Sequence, residues 1–530
     1  MSTTPATTLP RNIAARATGS PRALPPWALA PLLSIGGAKL LLHLLLGGRY
    51  GYFRDELYFL DCGRHLDWGY VDHAPMVALM ARFGLLLGGS LHAIRLLPAL
   101  AGAATVVIAM GITRELAGRS FAQAMAGLCV LLAPVYLGTD SILSMNALEP
   151  VLWMSAAWVL IRILRTGNPR LWLWFGVLTG LGLETKHSTV FFGMAIVAGL
   201  LLTRHWRQFA TPWPWIGGAV AFALFLPNII WQARHHFPTL ELLENIKDSD
   251  KNVVLGPVQY FAQQWILVHP VISLVWLIGL GWLLVGRGKK YRPLGYSYLV
   301  LLSTFVALKG KNYYLAPIYP MLLAAGAVVI ENWLDRVRTP RWRMWAQAAV
   351  VAMIVVTAVP IAPIALPLLP PEKYVAYSQA MHVSPPKTET HHQGQLPQLF
   401  GDQFGWEELV REVARIYHDL PPDEQARAAI LANNFGEAGA IDQFGPRYGL
   451  PRAISAHQNY YFWGPHGATG EVMIVLQDDR ATLERICASV DEAGYHDHPW
   501  GMGEENGPIF VCRGLKPPLP EMWPRLKKWR

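Results

Sequence analysis

A chain of 530 residues with 52% hydrophobic and only 15% charged side chains is longer than one ordinary domain and poorer in charge than a soluble protein, which carries about a quarter. Between residues 26 and 370 the charges sit in short clusters separated by apolar stretches of roughly 17 to 25 residues, the length that crosses a bilayer as a helix. The formal net charge of +9 is the surplus that the cytoplasmic loops of such a protein collect, and it sets nucleic-acid binding aside.

In chain order, residues 1–26 are rich in Ser, Thr, Ala and Arg, lack acids, and read as a disordered cytoplasmic tail. Spans are expected near 27–47, 93–113, 120–137, 148–164, 171–185, 188–203, 213–231, 260–285, 293–308, 313–333 and 344–366, about eleven in all. The 21 tryptophans suit a protein with two membrane interfaces. Basic residues test the topology. Arg11, Arg16 and Arg22 of the tail, then Arg114 and Arg119, Arg165 and Arg170, Arg204 and Arg207, Arg287, Lys289, Lys290 and Arg292, and Arg336, Arg338, Arg341 and Arg343 all share one side if the N-terminus is inside. An odd number of spans then places the C-terminal part outside, as in a multi-pass protein of the cell's inner membrane.

The first outward loop, 48–92, is long and carries Asp55, Glu56, Asp61, Asp67 and Asp72. Its apolar middle, 74–87, reads as a helix lying in the interface. After the spans, 368–400 is a Pro- and His-containing linker, and 401–530 reads as a soluble α/β domain. In that domain the pattern predicts an amphipathic helix over 406–420, with Leu409, Val413, Ile416 and Leu420 on one stripe. An apolar run at 429–432, strands at 471–476 and 508–511, and a helix over 481–490 follow. Cys487 and Cys512 share this domain, so a disulfide is open to them in an oxidising compartment. Cys62 and Cys129 are isolated in the membrane part, and no Cys, His or acid spacing demands a metal.

Ionisable residues at the membrane surface are costly, so their placement carries information. Asp55-Glu56 follows the first span, where a carboxylate can take or orient the proton of an acceptor hydroxyl; two solvated acids are the plainer alternative. Thr139-Asp140-Ser141, with Asn146 and Glu149 just after, lies in a short outward loop, as a site or as a polar turn that caps a helix. Lys186, Lys309 and Lys311 lie on the outward side, where lysine is scarce. Lysines at that level suit a lipid phosphate, or they snorkel from helix ends.

The stretch Tyr52-Phe53-Arg54-Asp55-Glu56-Leu57-Tyr58 and then Gly69-Tyr70-Val71-Asp72-His73-Ala74-Pro75-Met76 resembles the first outward loop of the dolichyl-phosphate-mannose–protein mannosyltransferase family. The likeness is to its bacterial branch, which includes the aminoarabinose transferases and other polyprenyl-phosphate-sugar-dependent glycosyltransferases. Thr139-Asp140-Ser141 through Met145-Asn146-Ala147-Leu148-Glu149-Pro150 is similar to that branch's second loop. Lys309-Gly310-Lys311-Asn312-Tyr313-Tyr314-Leu315-Ala316-Pro317 is similar to its late lysine–tyrosine–tyrosine–proline segment. The resemblance implies a GT-C type fold and inverting transfer of a sugar from a polyprenyl-phosphate carrier to an extracytoplasmic acceptor, whether protein, lipid or envelope glycan. It maps the catalytic carboxylate onto Asp55, with Glu56 as its acid partner and Asp140 on the acceptor side. Lys186, Lys309 and Lys311 are then candidates for the carrier phosphate, and Asp72, His73, Asn146, Glu149, Tyr313 and Tyr314 line the cavity. His73-Ala74-Pro75 departs from the lysine that aminoarabinose transferases carry before these prolines. No organic cofactor is implied, and a divalent metal stays open. A lipid or sugar transporter would also explain the spans, but no internal repeat of the transporter kind is present.

Overall fold

The computed structural model describes residues 23–249, 253–383, 387, 389–390 and 394–529. Most of the tail expected over 1–26 therefore lies outside the described residues.

Helices occupy all eleven apolar segments: α1 (Leu29–Leu46), then α2 (Arg54–Arg64) and α3 (Met76–Leu86) in the outward loop, α4 (Leu91–Glu115), α5 (Ser120–Leu132), α6 (Pro134–Thr139), α7 (Met145–Thr166), α8 (Leu171–Thr185), α9 (Thr189–Leu201), α10 (Pro212–Arg234), α11 (Pro238–Lys247), α12 (Pro257–Val268), α13 (Pro270–Leu284), α14 (Arg292–Ala307), α15 (Tyr319–Leu334) and α16 (Pro340–Ala358). Many open on a proline, whose fixed φ and missing N–H suit a first turn. Among the described residues six segments can cross a bilayer by length and composition, or up to eight if each of two bent pairs is one span. One bent pair replaces the single span expected over 260–285: α12 and α13 meet at 111°. Pro270 cannot continue the hydrogen-bond ladder, and His269 before it takes φ +84°. Pro134 likewise interrupts 120–137. Where α13 crosses α15, a β-carbon on Gly279 or Gly326 would collide with the facing backbone carbonyls of Leu322 or Val275, the close approach by which small residues join membrane helices.

In the loop between α1 and α4, α3 exposes Leu79, Phe83 and Leu86, an apolar face open on the surface. Helix α2, absent from the sequence reading, is buried from Glu56 to Gly63.

The soluble domain has strands β1 (Ala428–Leu431), β2 (Ala453–Ile454), β3 (Val472–Leu476), β4 (Ser489–His496) and β5 (Gly507–Arg513) in the order β2-β1-β3-β5-β4. β1 is parallel to β2 and β3, and β5 is antiparallel to β3 and β4. The helix Trp406–Asp419 buries Trp406, Leu409, Val410, Val413, Ala414 and Ile416. The helix expected over 481–490 stops at Ile486, and the next segment is β4. That edge strand leaves most side chains half or fully exposed, so no alternation marks it in the sequence. A second helix, Phe435–Phe444, is buried on nearly all sides and packs between the sheet and α2. Leu57, Tyr58, Tyr70, Val77 and Ile94 share one apolar cluster with Val410, Phe435, Ile441, Tyr460 and Ile474. The loop between α1 and α4 thus belongs to the C-terminal domain's core as much as to the helical bundle.

Cys487 and Cys512 form a disulfide with Cα atoms 5.8 Å apart, tying the turn before β4 to β5. Closing a loop of 25 residues removes unfolded-state entropy equivalent to about 3 kcal/mol. The double variant Cys487→Ser/Cys512→Ser is expected to unfold several degrees below the parent in a thermal melt, and reductant should shift the parent alone.

Candidate active site

Helix α2 sorts its two leading acids to opposite fates. Glu56 is fully buried. Its Oε1 accepts from Arg95 Nε at 2.9 Å and from the Leu143 amide at 2.7 Å, and its Oε2 accepts from Arg95 Nη2 at 2.7 Å and the Phe53 amide at 2.8 Å. Arg95 also donates to the carbonyls of Gly47 and Gly51. These bonds occupy both carboxylate oxygens, and they lock α1, α2, α4 and the turn before α7 together. Asp55 faces the other way, with its side chain 38% exposed.

Between Asp55 and the soluble domain lies Arg54, only 15% exposed. Its guanidinium stands 3.9 Å from Asp55, Glu389 and Asp402 and 3.7 Å from Glu505, and 5.5 Å over the Phe435 ring. Burial works against its charge, but the acids, Asp402 foremost, outweigh burial and raise its pKa. Burial pushes the Asp402 carboxyl up to about 8 in spite of Arg54, and burial together with Glu505 pushes Glu437 up to about 8. Asp442 is pushed up to about 7 by burial and by Asp61. Unfolding returns each acid to its ordinary range, so from about pH 4 to pH 8 these three carboxyls hold more protons in the folded protein than in the unfolded chain. Stability then falls as pH rises through that window. A melt at about pH 5.5 is expected to run several degrees higher than one at about pH 8.5, with a smaller gap in Asp402→Asn.

Asp140 is buried against Lys39 Nζ at 2.8 Å, and Lys39 also donates to the Tyr136 carbonyl at 2.9 Å. This pair clamps the middle of α1 to the turn that leads into α7. It thereby sets the position of Asn146 and Glu149 at the start of α7. Lys186 Nζ donates to Asn146 Oδ1 at 2.8 Å and stands 3.3 Å from Glu149 Oε2. It also lies 4.5 Å over the Tyr314 ring and 5.6 Å over that of Tyr313, and Ser188 donates to the other Glu149 oxygen. Lys311 pairs with Glu389 at 3.1 Å, the same carboxylate that faces Arg54.

The structure therefore brings together Asn146, Glu149, Lys186, Lys311, Tyr313 and Tyr314, and joins them to Asp55 through Glu389 and Arg54. Lys309 is exposed on a positive-φ turn and forms no ion pair among the described residues. Asp72 accepts from Tyr58 Oη at 2.9 Å. His73 is buried, stacked on Tyr70 at 4.5 Å and bonded to the Ala74 carbonyl. No bond joins these two to the lysine cluster among the described residues. Sequence reasoning missed Lys39, Arg54, Arg95, Glu389, Asp402 and Glu505. Lys39 was detectable as a lone lysine inside an apolar span; the others become partners only through distant pairing. Among the described residues no three His, Cys, Asp or Glu side chains are grouped to hold a metal.

Residues 72–231 match the family model of dolichyl-phosphate-mannose-protein mannosyltransferases, a segment that starts beyond Asp55 and Glu56. The structure of ArnT from Cupriavidus metallidurans in the apo state aligns with a TM-score of 0.57 and 13% identity, covering 91% of this chain and 98% of that one. The same protein bound to undecaprenyl phosphate aligns at 0.55 and 13%, with 91% and 97% covered. The mycobacterial arabinofuranosyltransferase AftD aligns at 0.47 and 18% identity, covering 76% of this chain and 29% of that one. No curated protein matches the chain in sequence. The chain is thus a multi-pass membrane protein in which residues 72–231 are similar in sequence to the dolichyl-phosphate-mannose-protein mannosyltransferases and the whole shares the fold of ArnT.

Proposed function

We propose that this enzyme moves a sugar, with inversion, from a polyprenyl-phosphate carrier to a hydroxyl of an extracytoplasmic acceptor. The observation that carries the reading is the continuous run Asp55–Arg54–Glu389–Lys311, which continues through the tyrosine pair to Lys186. It sets a half-exposed carboxylate within one network of two lysines suited to a phosphate. Asp55 takes the proton of the acceptor hydroxyl as its oxygen bonds to the anomeric carbon. The carbon–oxygen bond to the carrier phosphate breaks, and the phosphate leaves with the electron pair. Lys186 and Lys311 stabilise the charge that develops there, with Tyr313 and Tyr314 walling the site. Undecaprenyl phosphate in the similarly folded ArnT supports a lipid-phosphate donor here.

Glu56, Asp140, Asn146 and Glu149 act as positioning groups in this scheme, since each is held by Arg95, Lys39 or Lys186. The N-terminus lies in the cytoplasm and the soluble domain outside the inner membrane, a sidedness supported by the basic loops and by the disulfide.

The testing experiment is transfer from a radiolabelled polyprenyl-phosphate sugar in isolated membranes. Lys186→Met is expected to raise the KM for the carrier at least tenfold. Transfer from the carrier at parental KM in Lys186→Met and Lys311→Met alike would remove the lysines from the mechanism.

A further inference from the structure

A cleft lies away from the lysine cluster, between the far end of α2 and the C-terminal domain. Its volume is about 410 Å³, within the range of small-molecule sites. Its polar wall is made of Arg64, Asp442, Gln443 and Arg452, and Leu85 and Leu450 supply apolar surface. All four polar side chains are planar groups that present two or more hydrogen-bonding atoms in a fixed plane. Arg64 is the last residue of α2, and it bonds both Asp61 and the Gln443 amide oxygen. Asp442 sits on the buried helix Phe435–Phe444, with one carboxylate oxygen accepting from the Ala453 amide at 2.9 Å. Arg452 is exposed and reaches His65 at 3.5 Å. The His65 ring stacks on Trp463 at 4.6 Å beside it.

Charge decides the ligand class. Arg64 is balanced by buried Asp61, and Arg452 and Asp442, one base and one acid, both line the cleft. The lining is then near neutral, rich in donors and acceptors, and interrupted by aliphatic surface. An anion finds no surplus of positive charge here, and an apolar ligand would leave four polar groups unsatisfied. A hydroxyl-rich ring meets both surfaces. Along α2, Arg64 follows Asp55 by nine residues, about 14 Å at the helical rise and half a turn around the axis, and the residues between them are buried, so one acceptor reaching both points must pass around the helix and be several sugars long.

We infer that this cleft binds a neutral sugar unit of an acceptor glycan while a second unit is presented to Asp55. The inference rests on the glycosyltransferase mechanism proposed above, and it names the acceptor class as an oligo- or polysaccharide.

The test uses the detergent-purified full chain and saturation-transfer NMR with maltotriose, cellotriose, α-mannotriose and, as an anionic probe, trigalacturonate. Binding of undecaprenyl phosphate is measured in parallel. At least one neutral trisaccharide is expected to bind, at least tenfold more weakly in Arg452→Ala and Gln443→Ala, with melting temperature and undecaprenyl phosphate binding unchanged. No binding of any neutral sugar, equal binding in the variants, or binding of trigalacturonate alone overturns the inference. Sugar binding that depends on Arg452 in a protein without polyprenyl-phosphate binding supports the cleft and counts only against the proposed donor.

Discussion

Asp55→Asn is expected to lower transfer by about 10²–10⁴-fold while leaving the protein inserted and folded, the loss typical when a general base is removed. The two halves of that expectation have separate causes. Asp55 is half-exposed, and its ion pair with Arg54 spans 3.9 Å, too long for a hydrogen bond. Arg54 keeps Asp402, Glu389 and Glu505 in the variant, so its buried charge stays compensated. The amide still fills the space and accepts a hydrogen bond, but it takes no proton at neutral pH. Carrier binding by the variant should match the parent, so the loss falls on kcat. Near-normal turnover in a well-folded Asp55→Asn protein would refute the assignment of the base.

Glu56→Ala, one residue along, is expected to fail in the opposite way. Removing the carboxylate leaves Arg95, 4% exposed, as an uncompensated buried charge, and it also strips acceptors from the Leu143 and Phe53 amides. Breaking a buried pair of this kind costs about 3–5 kcal/mol, a large part of the stability of an average domain. Little monodisperse protein should survive size-exclusion chromatography in detergent, and Arg95→Ala should behave alike. A folded Glu56→Ala protein with only its turnover reduced would instead make Glu56 a partner in the chemistry.

Much of this was legible in the sequence because it depends on local pattern. Span length, the interfacial apolar run that became α3, the stripe of the helix Trp406–Asp419 and the anomalous outward lysines all report one-dimensional regularities. The break at Pro270 was equally local, with a proline inside an expected span. The division of labour between Asp55 and Glu56 was not legible, since adjacent acids differ only in which way a helix turns them. Arg54 gave no signal either. Its partners Glu389, Asp402 and Glu505 lie more than three hundred residues away, and only the folded chain shows that four acids converge on it. β4 escaped because an edge strand with exposed faces has no period to detect, and the helix Phe435–Phe444 because burial on nearly all sides leaves no stripe.

The shared core of α2 and the soluble domain also fixes an order of events in the cell. α2 leaves the ribosome more than three hundred residues before Trp406, a delay of tens of seconds at ordinary rates of synthesis. Until the last third is made, Leu57, Tyr58 and Tyr460 have no common core, and Arg54 lacks three of its four acids. The fold is thus complete only when its final segment arrives, and a chain truncated after the spans is a membrane protein with an unfinished first loop.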